Sequence, residues 1–395
     1  MLSVAEAQTR VVQAIRRLGN EAVSIEKAAG RVLSHPLAAR VTNPPCDVSA
    51  MDGYAVCGVD AQQFRVVGTS AAGSGFGGKV SPGEAVRIFT GAPIPAGADT
   101  IIIQENVSRV GDVASLLSGT ENLMGKHIRH AGLDFKAGDV LIDEGVRMHS
   151  RHLSLAAAMN YSEVTCTRAP RIGILATGDE LVRPGHQLGP HQIVSSSPYG
   201  LMADIISWGG KPTHLGIALD TISSIREKLA SPEALDLIVT IGGASVGDYD
   251  LVQSALAPDL QLNFWKIAMR PGKPMIFGNY RGVALLGLPG NPVSAFVCSQ
   301  LFLKPMIYQF IGLGDPAHKL RRARLDGALK TNDSRQEYSR CSLSEVPDLG
   351  LVARPLAVQD SSMMRFLADS QGLIVRPPFD AARDGRDNVE VLLFD

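Results

Sequence analysis

The stretch RIGILATGDE (171–180) is an apolar run that stops abruptly on Thr177 and Gly178, directly before two acids. Two later stretches share this arrangement, LDLIVTIGGASVGDYD (235–250) and VALLGLPGNPVSA (283–295). Each predicts a buried strand followed by a turn of small residues, whose backbone N–H groups are left free. In open α/β sheets the carboxyl ends of the strands form the ligand-binding edge. We therefore expect a phosphate-bearing, nucleotide-like ligand at this edge.

Acidic side chains follow two of these turns, with Asp179 and Glu180 in the first and Asp248 and Asp250 in the second. They would repel a bare phosphate unless a hard cation such as Mg²⁺ lay between them. The alternative for the first pair is helix capping at an expected helix start, which explains one acid better than two. Asp220 fits equally well as the N-cap of a helix TISSIREKLA and as a metal ligand.

The stretch FWKIAMRPGKP (264–274) is the best candidate for binding an oxyanion. In a strand, Lys266 and Arg270 would point the same way about 13 Å apart, while Trp265 and Met269 take the other face. Cations beside the acidic, glycine-rich edge could bind an anion. The alternative is an ordinary half-buried strand with a solvated face.

Composition limits the possible partners and compartment. The 395 residues are 45% apolar and 19% charged, enough for two to four domains, and the net charge of −1 offers no general attraction for nucleic acid or anionic membrane. The five cysteines are scattered and form no C-x-x-C pair, which argues against a disulfide framework or a zinc site. The first residues predict an amphipathic helix with Ser3 and Glu6 as a capping box and Gly19 as its end, not a signal peptide. We expect a cytoplasmic protein.

The pattern along the chain predicts a multidomain α/β plus β protein. Alternating strands and helices place a central α/β domain with a parallel sheet at 1–20 and 169–318, including a helix capped at Ser197 and ended by Gly209. Short strands with Gly and Pro predict a β-rich domain at 40–139 and a β-barrel-like C-terminal domain at 319–395. The segments 21–39 and 140–168 are expected to pair as a small linking domain.

Two loops of the β-rich region contain residues whose spacing is explained more simply by a structural role than by a functional one. Asp52 and Gly53 in PPCDVSAMDGYAV (44–56) form a strong hairpin-turn signal, and Thr90 in RIFTGAPIPAGAD (87–99) is by itself an ordinary turn hydroxyl. Spacing alone favours a structural role over a functional one at both places.

Taken together, MDGYA, RIFTGAPIPAGAD, TGDEL, GGASVGDYD, FWKIAMRPGKP and GLPGNPVSAF resemble, in order and approximate spacing, the bacterial molybdopterin molybdenumtransferases. This is the MoeA family, which is related to the E domain of gephyrin. The resemblance spans essentially the whole chain. It implies an elongated homodimer of four-domain subunits that inserts molybdenum from molybdate into adenylylated molybdopterin, with release of AMP and molybdenum cofactor.

The resemblance also implies roles for residues of this sequence. The active site would lie at the dimer cleft, between the β-rich domain of one subunit and the α/β domain of the other. The implied catalytic residues are Asp52, Thr90, Glu180, Asp220, Asp250, Lys266 and Arg270, of which Glu180, Asp220 and Asp250 would hold Mg²⁺. The implied substrate-binding residues are Thr177, Gly178, Asp179, Gly242, Gly243, Ser245, Gly247, Lys273, Pro289, Gly290, Asn291, Arg340 and Ser361. Beside a second copy of the chain, molybdopterin adenylyltransferase and molybdoenzyme maturation proteins are the partners implied.

The sequence departs from the family pattern at three places: Arg270 replaces the usual lysine, Ser195–Ser197 replace an asparagine-bearing stretch, and Asp360–Ser361 replace Gly-Ser. A guanidinium binds oxyanions bidentately but is not equivalent to an ammonium. Two alternatives stay open, an adenylyltransferase-like enzyme and a non-catalytic gephyrin-like dimeric scaffold. A scaffold would have no physical need for acids around a glycine-rich edge, so the sequence favours catalysis.

Overall fold

The computed structural model describes residues 1–119, 123–243, 251–314, 320–385 and 387–394. The chain divides into two compact units, each described here by itself. The first contains Met1–Glu21, Gly30–Ser34 and Thr165–Asp395, and the second contains Ala22–Ala29 and His35–Val164.

The helices are numbered in chain order: α1 (Val4–Gln13), α2 (Ser150–Ala158), α3 (Ser197–Trp208), α4 (Ile222–Lys228), α5 (Leu251–Leu256), α6 (Pro292–Cys298), α7 (Lys304–Ile311) and α8 (Met364–Ala368). A π-helical segment, Ser299–Leu303, joins α6 to α7.

The strands are β1 (Asn20–Ser24), β2 (Leu37–Ala38), β3 (Val48–Ser49), β4 (Gly53–Val56), β5 (Gln63–Ser70), β6 (Glu84–Ile88), β7 (Thr100–Ile103), β8 (Val107–Val110), β9 (Val113–Leu116), β10 (Ile128–Arg129), β11 (Val140–Ile142), β12 (Glu163–Thr167), β13 (Arg171–Thr177), β14 (Leu181–Val182), β15 (Ile193–Val194), β16 (Lys211–Ala218), β17 (Leu237–Ile241), β18 (Leu260–Lys266), β19 (Met269–Arg270), β20 (Pro274–Tyr280), β21 (Val283–Leu288), β22 (Leu320–Leu325), β23 (Gln336–Val346), β24 (Gly350–Pro355), β25 (Gly372–Arg376) and β26 (Asn388–Leu393).

The second unit is built around a six-stranded sheet in the order β7-β4-β6-β5-β9-β8. Its apolar side chains form two cores, one around Tyr54 and Phe64 and one around Ile88 and Ile101. The prediction of a β-rich region is confirmed. The predicted hairpin at Asp52 is wrong, because the strands on either side of it pair elsewhere: β3 with β10, and β4 with β6 and β7.

The first unit contains the predicted α/β sheet, in the order β16-β13-β17-β21-β20-β18. The first four strands are parallel, and β20 and β18 add an antiparallel edge, so the sheet is mixed. Two hydrophobic cores cover its faces, one with residues of α1, α3, α6 and α7 and one with residues of α4 and α5. Fully buried, largely apolar strands such as LIVTI (237–241) are typical of a sheet covered on both faces.

Helix ends differ from the sequence expectation in two places. The capping box of Ser3 and Glu6 is present at α1, but the helix ends at Gln13, well before Gly19. Helix α3 begins at Ser197 itself, with Ser196 as the preceding cap residue, and it ends as predicted with Gly209 in the left-handed conformation at φ 101°. There glycine avoids the steric cost that a Cβ would meet.

The C-terminal strands close into a five-stranded barrel, β23-β24-β22-β26-β25, completed by pairing of β25 with β23. This confirms the predicted β-barrel-like domain. Strand β23 was not predicted as a strand, although at eleven residues it is long and pairs with both β24 and β25. The side chains of Tyr338, Leu373 and Leu392 join the core beneath the α/β sheet, so barrel and sheet pack together.

The stretch 264–274 is not one strand. Strand β18 ends at Lys266 in the α/β sheet, and β19 pairs in parallel with β23 of the barrel. The prediction that Trp265 and Met269 lie on one face of a strand is wrong, because Trp265 lies in the α/β sheet and is 45% exposed, whereas Met269 lies in β19 and is fully buried. Within the described ranges, no helix is long and apolar enough to cross a membrane.

Candidate active site

A cleft of 890 Å³ lies at the carboxyl ends of β13, β17 and β21 in the first unit. Its lining combines the glycine-rich turns with residues from β14, β15, α3, α6, the segment before α8 and the start of α8. It is lined by Ala176, Thr177, Gly178, Glu180, Leu181, Ile193, Val194, Ser195, Ser196, Ser197, Pro198, Asp220, Ile241, Gly242, Gly243, Leu251, Pro274, Pro289, Gly290, Asn291, Pro292, Ser294, Ser362 and Met364. The three turns singled out in the sequence therefore meet at one site.

The first two turns touch at Thr177. A Cβ atom added to Gly242 would lie 2.6 Å from the Thr177 carbonyl oxygen, and one added to Gly243 would lie 3.0 Å from the Thr177 hydroxyl. Both glycines also have positive φ, 93° and 66°, so no other residue fits easily. The Thr177 hydroxyl is buried and has no hydrogen-bond partner among the described residues. Since a buried hydroxyl without a partner is costly, this cleft-lining group is well suited to a ligand oxygen.

Three carboxyl groups lie together beside the first turn. The Asp220 backbone N–H donates to the Asp179 carboxylate at 2.9 Å, and both Glu180 and Asp220 line the cleft. Burial raises the pKa of Asp220 above its usual value, and the carboxylates of Asp179 and Glu180 raise it further. A divalent cation would relieve this crowding of negative charge.

The capping alternatives for these acids are wrong. No helix starts at Asp179 or Glu180, since a turn leads from them into the short strand β14. The N-cap of α4 is Thr221, whose hydroxyl accepts from the Ser224 N–H, so Asp220 lies outside the helix. Neither position is explained by the needs of a helix end.

The third turn contributes Pro289, Gly290 and Asn291 to the cleft. Asn291 precedes α6 but does not cap it with its side chain. Its amide instead donates to the Ser361 hydroxyl at 2.9 Å, while the backbone N–H of Val293 donates to the Ser361 carbonyl at 3.0 Å. The predicted substrate-binding residue Ser361 thus lies against the predicted phosphate turn.

Arg340 lies beneath the Ser361 segment, with only 1% of its surface exposed. Its guanidinium donates to the backbone carbonyls of Val358, Asp360 and Met363 at 3.2, 2.8 and 3.0 Å. The guanidinium is directed at protein carbonyls and is not among the groups that line the cleft in the described ranges. The geometry therefore gives Arg340 a part in shaping the segment that contains Ser361.

The three cations of the stretch 264–274 also lie off the cleft lining, as far as the described residues show. Lys266 is paired across β18 and β20 with Pro274, which does line the cleft, and its ammonium lies 3.4 Å from the centre of the Trp265 ring. Lys273 is half-buried in the turn that follows β19. Lys266 therefore lies directly beside a residue that lines the cleft, although it does not line the cleft itself.

Arg270 is bonded to side chains of the barrel. Its guanidinium contacts Asp333 at 3.3 Å, Asn332 at 3.3 Å and Glu337 at 2.7 Å, and it remains 42% exposed. Arg376 binds the other oxygen of Glu337 at 3.0 Å. These contacts use the forked geometry of arginine, which a lysine could not reproduce.

Asp52 and Thr90 belong to the second unit and are hydrogen-bonded to each other. One oxygen of the Asp52 carboxylate accepts from the Thr90 backbone N–H at 2.7 Å and from its hydroxyl at 2.8 Å. These two bonds, the backbone one first, lower the pKa of Asp52 below its usual value. The adjoining Gly53 is required by packing, because a Cβ there would collide with the Ile102 carbonyl oxygen. The result is an accessible ionised carboxylate held in one orientation.

Three predicted site residues, Ser245, Gly247 and Asp250, lie outside the described residues, as does Asp248. In the part of the chain that is described, no three acid, histidine or cysteine side chains lie close enough to enclose a metal ion. Sequence reasoning missed the contributions of Ser362 and Met364 from the barrel domain. Only their closeness in sequence to Ser361 could have indicated them.

Three family models match the chain. The MoeA N-terminal region (domain I and II) matches residues 2–160, a probable molybdopterin binding domain matches 173–309, and the MoeA C-terminal region (domain IV) matches 322–394. Together they cover most of the sequence.

Individual proteins agree with these matches. The molybdopterin molybdenumtransferase of Haemophilus influenzae is 35% identical over 317 residues, 79% of this chain and 78% of the relative. Molybdopterin molybdenumtransferase 2 of Mycobacterium tuberculosis is 33% identical over 394 residues, 95% and 96% of the two chains. The crystal structure of a molybdopterin biosynthesis protein from Pyrococcus horikoshii, 28% identical, superimposes with a TM-score of 0.84 over 100% of this chain and 99% of that one.

Proposed function

The chain belongs to the MoeA family, and we propose that it transfers molybdenum from molybdate to adenylylated molybdopterin, releasing AMP and the finished cofactor. It is thus a transferase of molybdenum cofactor biosynthesis. In the proposed reaction two thiol groups of molybdopterin give their protons to one oxide of molybdate, which leaves as water while two Mo–S bonds form. Water cleaves the anhydride between the two phosphates, so that AMP departs.

The observation that carries this proposal is the meeting of three glycine-rich turns with Glu180 and Asp220 around one cleft. Free backbone N–H groups at strand ends suit the phosphates of the substrate. The Thr177 hydroxyl, buried and without a partner among the described residues, would donate to a phosphate oxygen. Binding of the phosphates to these groups would hold the anhydride in the same cleft as Glu180 and Asp220.

The acids fit Mg²⁺. Unlike Ca²⁺, this ion is usually held by one or two carboxylates together with substrate phosphates and water, not by an all-protein cage. Glu180 and Asp220, which both line the cleft, would supply such a half-site. Asp250, predicted as a third ligand, stays a prediction. When bound, Mg²⁺ would neutralise charge on the anhydride as it is cleaved.

For molybdate we propose the region beside Lys266. Molybdate is a dianion and needs fixed cations or donors, and Lys266 lies next to the cleft residue Pro274 in the sheet register. Lys273 follows on the adjoining turn. Arg270 is tied to Asp333 and Glu337, which supports a role in holding the barrel to the site more than direct contact with the anion.

The working form is proposed to be a homodimer in which Asp52 and Thr90 of one copy act with the cleft of the other. The support is the family membership and the Asp52 carboxylate, which is accessible and is held in one orientation by Thr90. Molybdopterin adenylyltransferase and molybdoenzyme maturation proteins are proposed as transient partners. The scattered, unpaired cysteines fit the reducing cytoplasm, which we propose as the compartment.

The test is a single-turnover assay with adenylylated molybdopterin, Mg²⁺ and micromolar molybdate, following AMP release and activation of a cofactor-free molybdoenzyme. We expect molybdate-dependent formation of both products and their loss in Asp220→Asn. Asp259→Asn is the matched control, because Asp259 forms only a half-exposed ion pair with Arg281 at 2.8 Å. Tight substrate binding without either product would contradict the proposal and support the scaffold alternative.

A further inference from the structure

A second, smaller pocket of 290 Å³ opens beside the cleft. Its walls are one face of α3, one face of α6, α8 and the end of the last strand. It is lined by Ser196, Ser197, Gly200, Leu201, Asp204, Ile241, Pro292, Ala295, Phe296, Ser299, Met364, Leu367, Ala368 and Phe394. Five of these residues, Ser196, Ser197, Ile241, Pro292 and Met364, also line the cleft. A ligand whose phosphates occupy the cleft could therefore extend directly into this side pocket.

The side pocket is chemically unlike the cleft. Its walls are mainly aliphatic and aromatic, with Phe296 and Phe394 packed edge to face at 5.0 Å. Among the described residues that line it, Asp204 is the only one with an ionisable side chain. A mainly apolar pocket with a few placed polar groups is typical of sites for small organic ligands.

The position of Asp204 is set by a buried partner. The amide of Gln300, which is 7% exposed, donates to the Asp204 carboxylate at 3.3 Å. Gln300 lies in the π-helical segment, and such segments in helices occur frequently at functional sites. A carboxylate has acceptor sites for about four hydrogen bonds, so Asp204 can accept from a ligand while it is bonded within the protein.

We propose that this side pocket binds the pterin ring of the substrate and that Asp204 recognises its amino-lactam edge. The inference rests on the proposed function, because that function supplies a substrate with two flat heterocycles, pterin and adenine. The pterin edge presents an amine and a ring N–H side by side, which donate two parallel bonds to one carboxylate. The adenine amine is flanked by acceptor nitrogens, which a carboxylate repels. Asp204 therefore selects pterin over adenine.

The experiment measures binding of two separate probes, the fluorescent 6-carboxypterin and AMP, to the full chain. Asp204→Asn keeps the shape but replaces one acceptor oxygen by a donor. We expect its affinity for 6-carboxypterin to fall by about 10- to 100-fold, the range for hydrogen bonds to a charged group, with AMP affinity unchanged. Glu227→Gln, on the exposed surface of α4, is the control acid and should change neither affinity.

A second variant tests the pocket without removing the carboxylate. Gly200 lines the pocket, and a Cβ there would meet no heavy atom within 4 Å, so the Cβ that Gly200→Leu introduces has room and the larger side chain would take up space beside the pocket. We expect it to weaken 6-carboxypterin binding and spare AMP. Loss of AMP binding with pterin binding intact in the variants, or an Asp204→Asn affinity within twofold of the unmodified protein, would overturn the assignment.

The turnover assay separates this inference from the proposed function. If the unmodified protein binds 6-carboxypterin through Asp204 but releases no AMP, the pocket assignment stands and the transferase proposal fails. If it turns over normally and Asp204→Asn leaves KM for adenylylated molybdopterin unchanged, the pocket assignment alone fails. A rise in KM larger than the fall in kcat supports recognition of the ring.

Discussion

The amide of Asn291 donates to the hydroxyl of Ser361 across 70 positions of sequence, at 2.9 Å. Asn291 ends the third glycine-rich turn, and Ser361 belongs to the segment whose carbonyls are bound by the buried guanidinium of Arg340. A chain of contacts thus leads from the barrel core to the cleft, and among the described residues of the barrel no charged side chain lines that cleft.

Arg340→Met should damage both stability and substrate binding. The carbonyls of Val358, Asp360 and Met363 would lose their donor inside the protein, and we expect a decrease of about 2–4 kcal/mol in the free energy of unfolding. Because Ser361 would then be poorly positioned, KM should rise more than kcat falls in the turnover assay. A variant with normal stability but no activity would instead indicate direct contact of Arg340 with substrate.

Mg²⁺ should stabilise the protein through Asp220. The raised pKa means that the folded state binds this proton more tightly than the unfolded chain, so ionisation costs stability as pH rises from about 4 through the folded-state pKa. Without metal, Asp220→Asn should therefore have the higher Tm at neutral pH and no such advantage in acid.

Added Mg²⁺ should reverse that order, raising the Tm of the unmodified protein and leaving Asp220→Asn nearly unchanged. Thermal melts at several pH values with and without the metal measure both effects. Asp259→Asn should respond to Mg²⁺ like the unmodified protein. Equal Mg²⁺ responses in all three proteins would argue against metal binding at Asp220.

Gly242→Ala should be more harmful than Gly185→Ala. Both glycines have positive φ, 93° and 86°, so alanine costs about 1–2 kcal/mol of backbone strain at either. Only at Gly242 would the new Cβ also press on Thr177, whereas at Gly185 it meets nothing within 4 Å. We expect a Tm several degrees lower for Gly242→Ala, and lost AMP binding, measured by melting curves and calorimetry. Similar losses at the two positions would mean that the contact with Thr177 is unimportant.

Mixing two inactive variants should restore activity if two copies share each site. Thr90→Val removes the hydroxyl that bonds Asp52, and Asp220→Asn removes the acid of the cleft. Random pairing makes about half of the dimers mixed, each with one intact site of two, so about a quarter of full activity is expected. Thr90→Ser, which keeps the hydroxyl, should be active alone. No recovery after subunit exchange would favour sites within single chains.

Periodicity and composition identified the α/β sheet, the β-rich region and the barrel. The spacing of apolar residues depends directly on which positions are buried, and glycine residues mark the turns between strands. They could not show which sheet a strand joins. Residues 264–274 have the alternation of one strand, yet the chain passes from the α/β sheet to the barrel after Lys266. Strand β23 was missed because its polar residues, including Arg340, gain partners only in the folded barrel.

For the site, too, the sequence predicted the local features but not the contacts between distant residues. Glycine-rich turns after apolar strands correctly indicated the cleft, since that inference needs only local geometry. Capping and metal binding by Asp220 were indistinguishable in sequence, because both favour an acid before a helix; the cap at Thr221 was visible only in the structure. The burial of Arg340 and the bonds of Arg270 depend on residues distant in sequence, so no local pattern could reveal them.

Strand β19 pairs with β23 of the barrel, although it lies about fifty residues before β22, the first strand of the barrel in sequence. A barrel that begins at β22 would expose the N-terminal part of β23 to other chains and would lose Arg270, one of the two arginines that bind Glu337. When the barrel is exchanged between relatives, we therefore expect a folded chimera if Met269 and Arg270 come from the same parent as the barrel. If they come from the other parent, we expect the chimera to aggregate. The unit that can be exchanged therefore consists of the barrel strands β22–β26 together with β19, and not of the C-terminal strands alone.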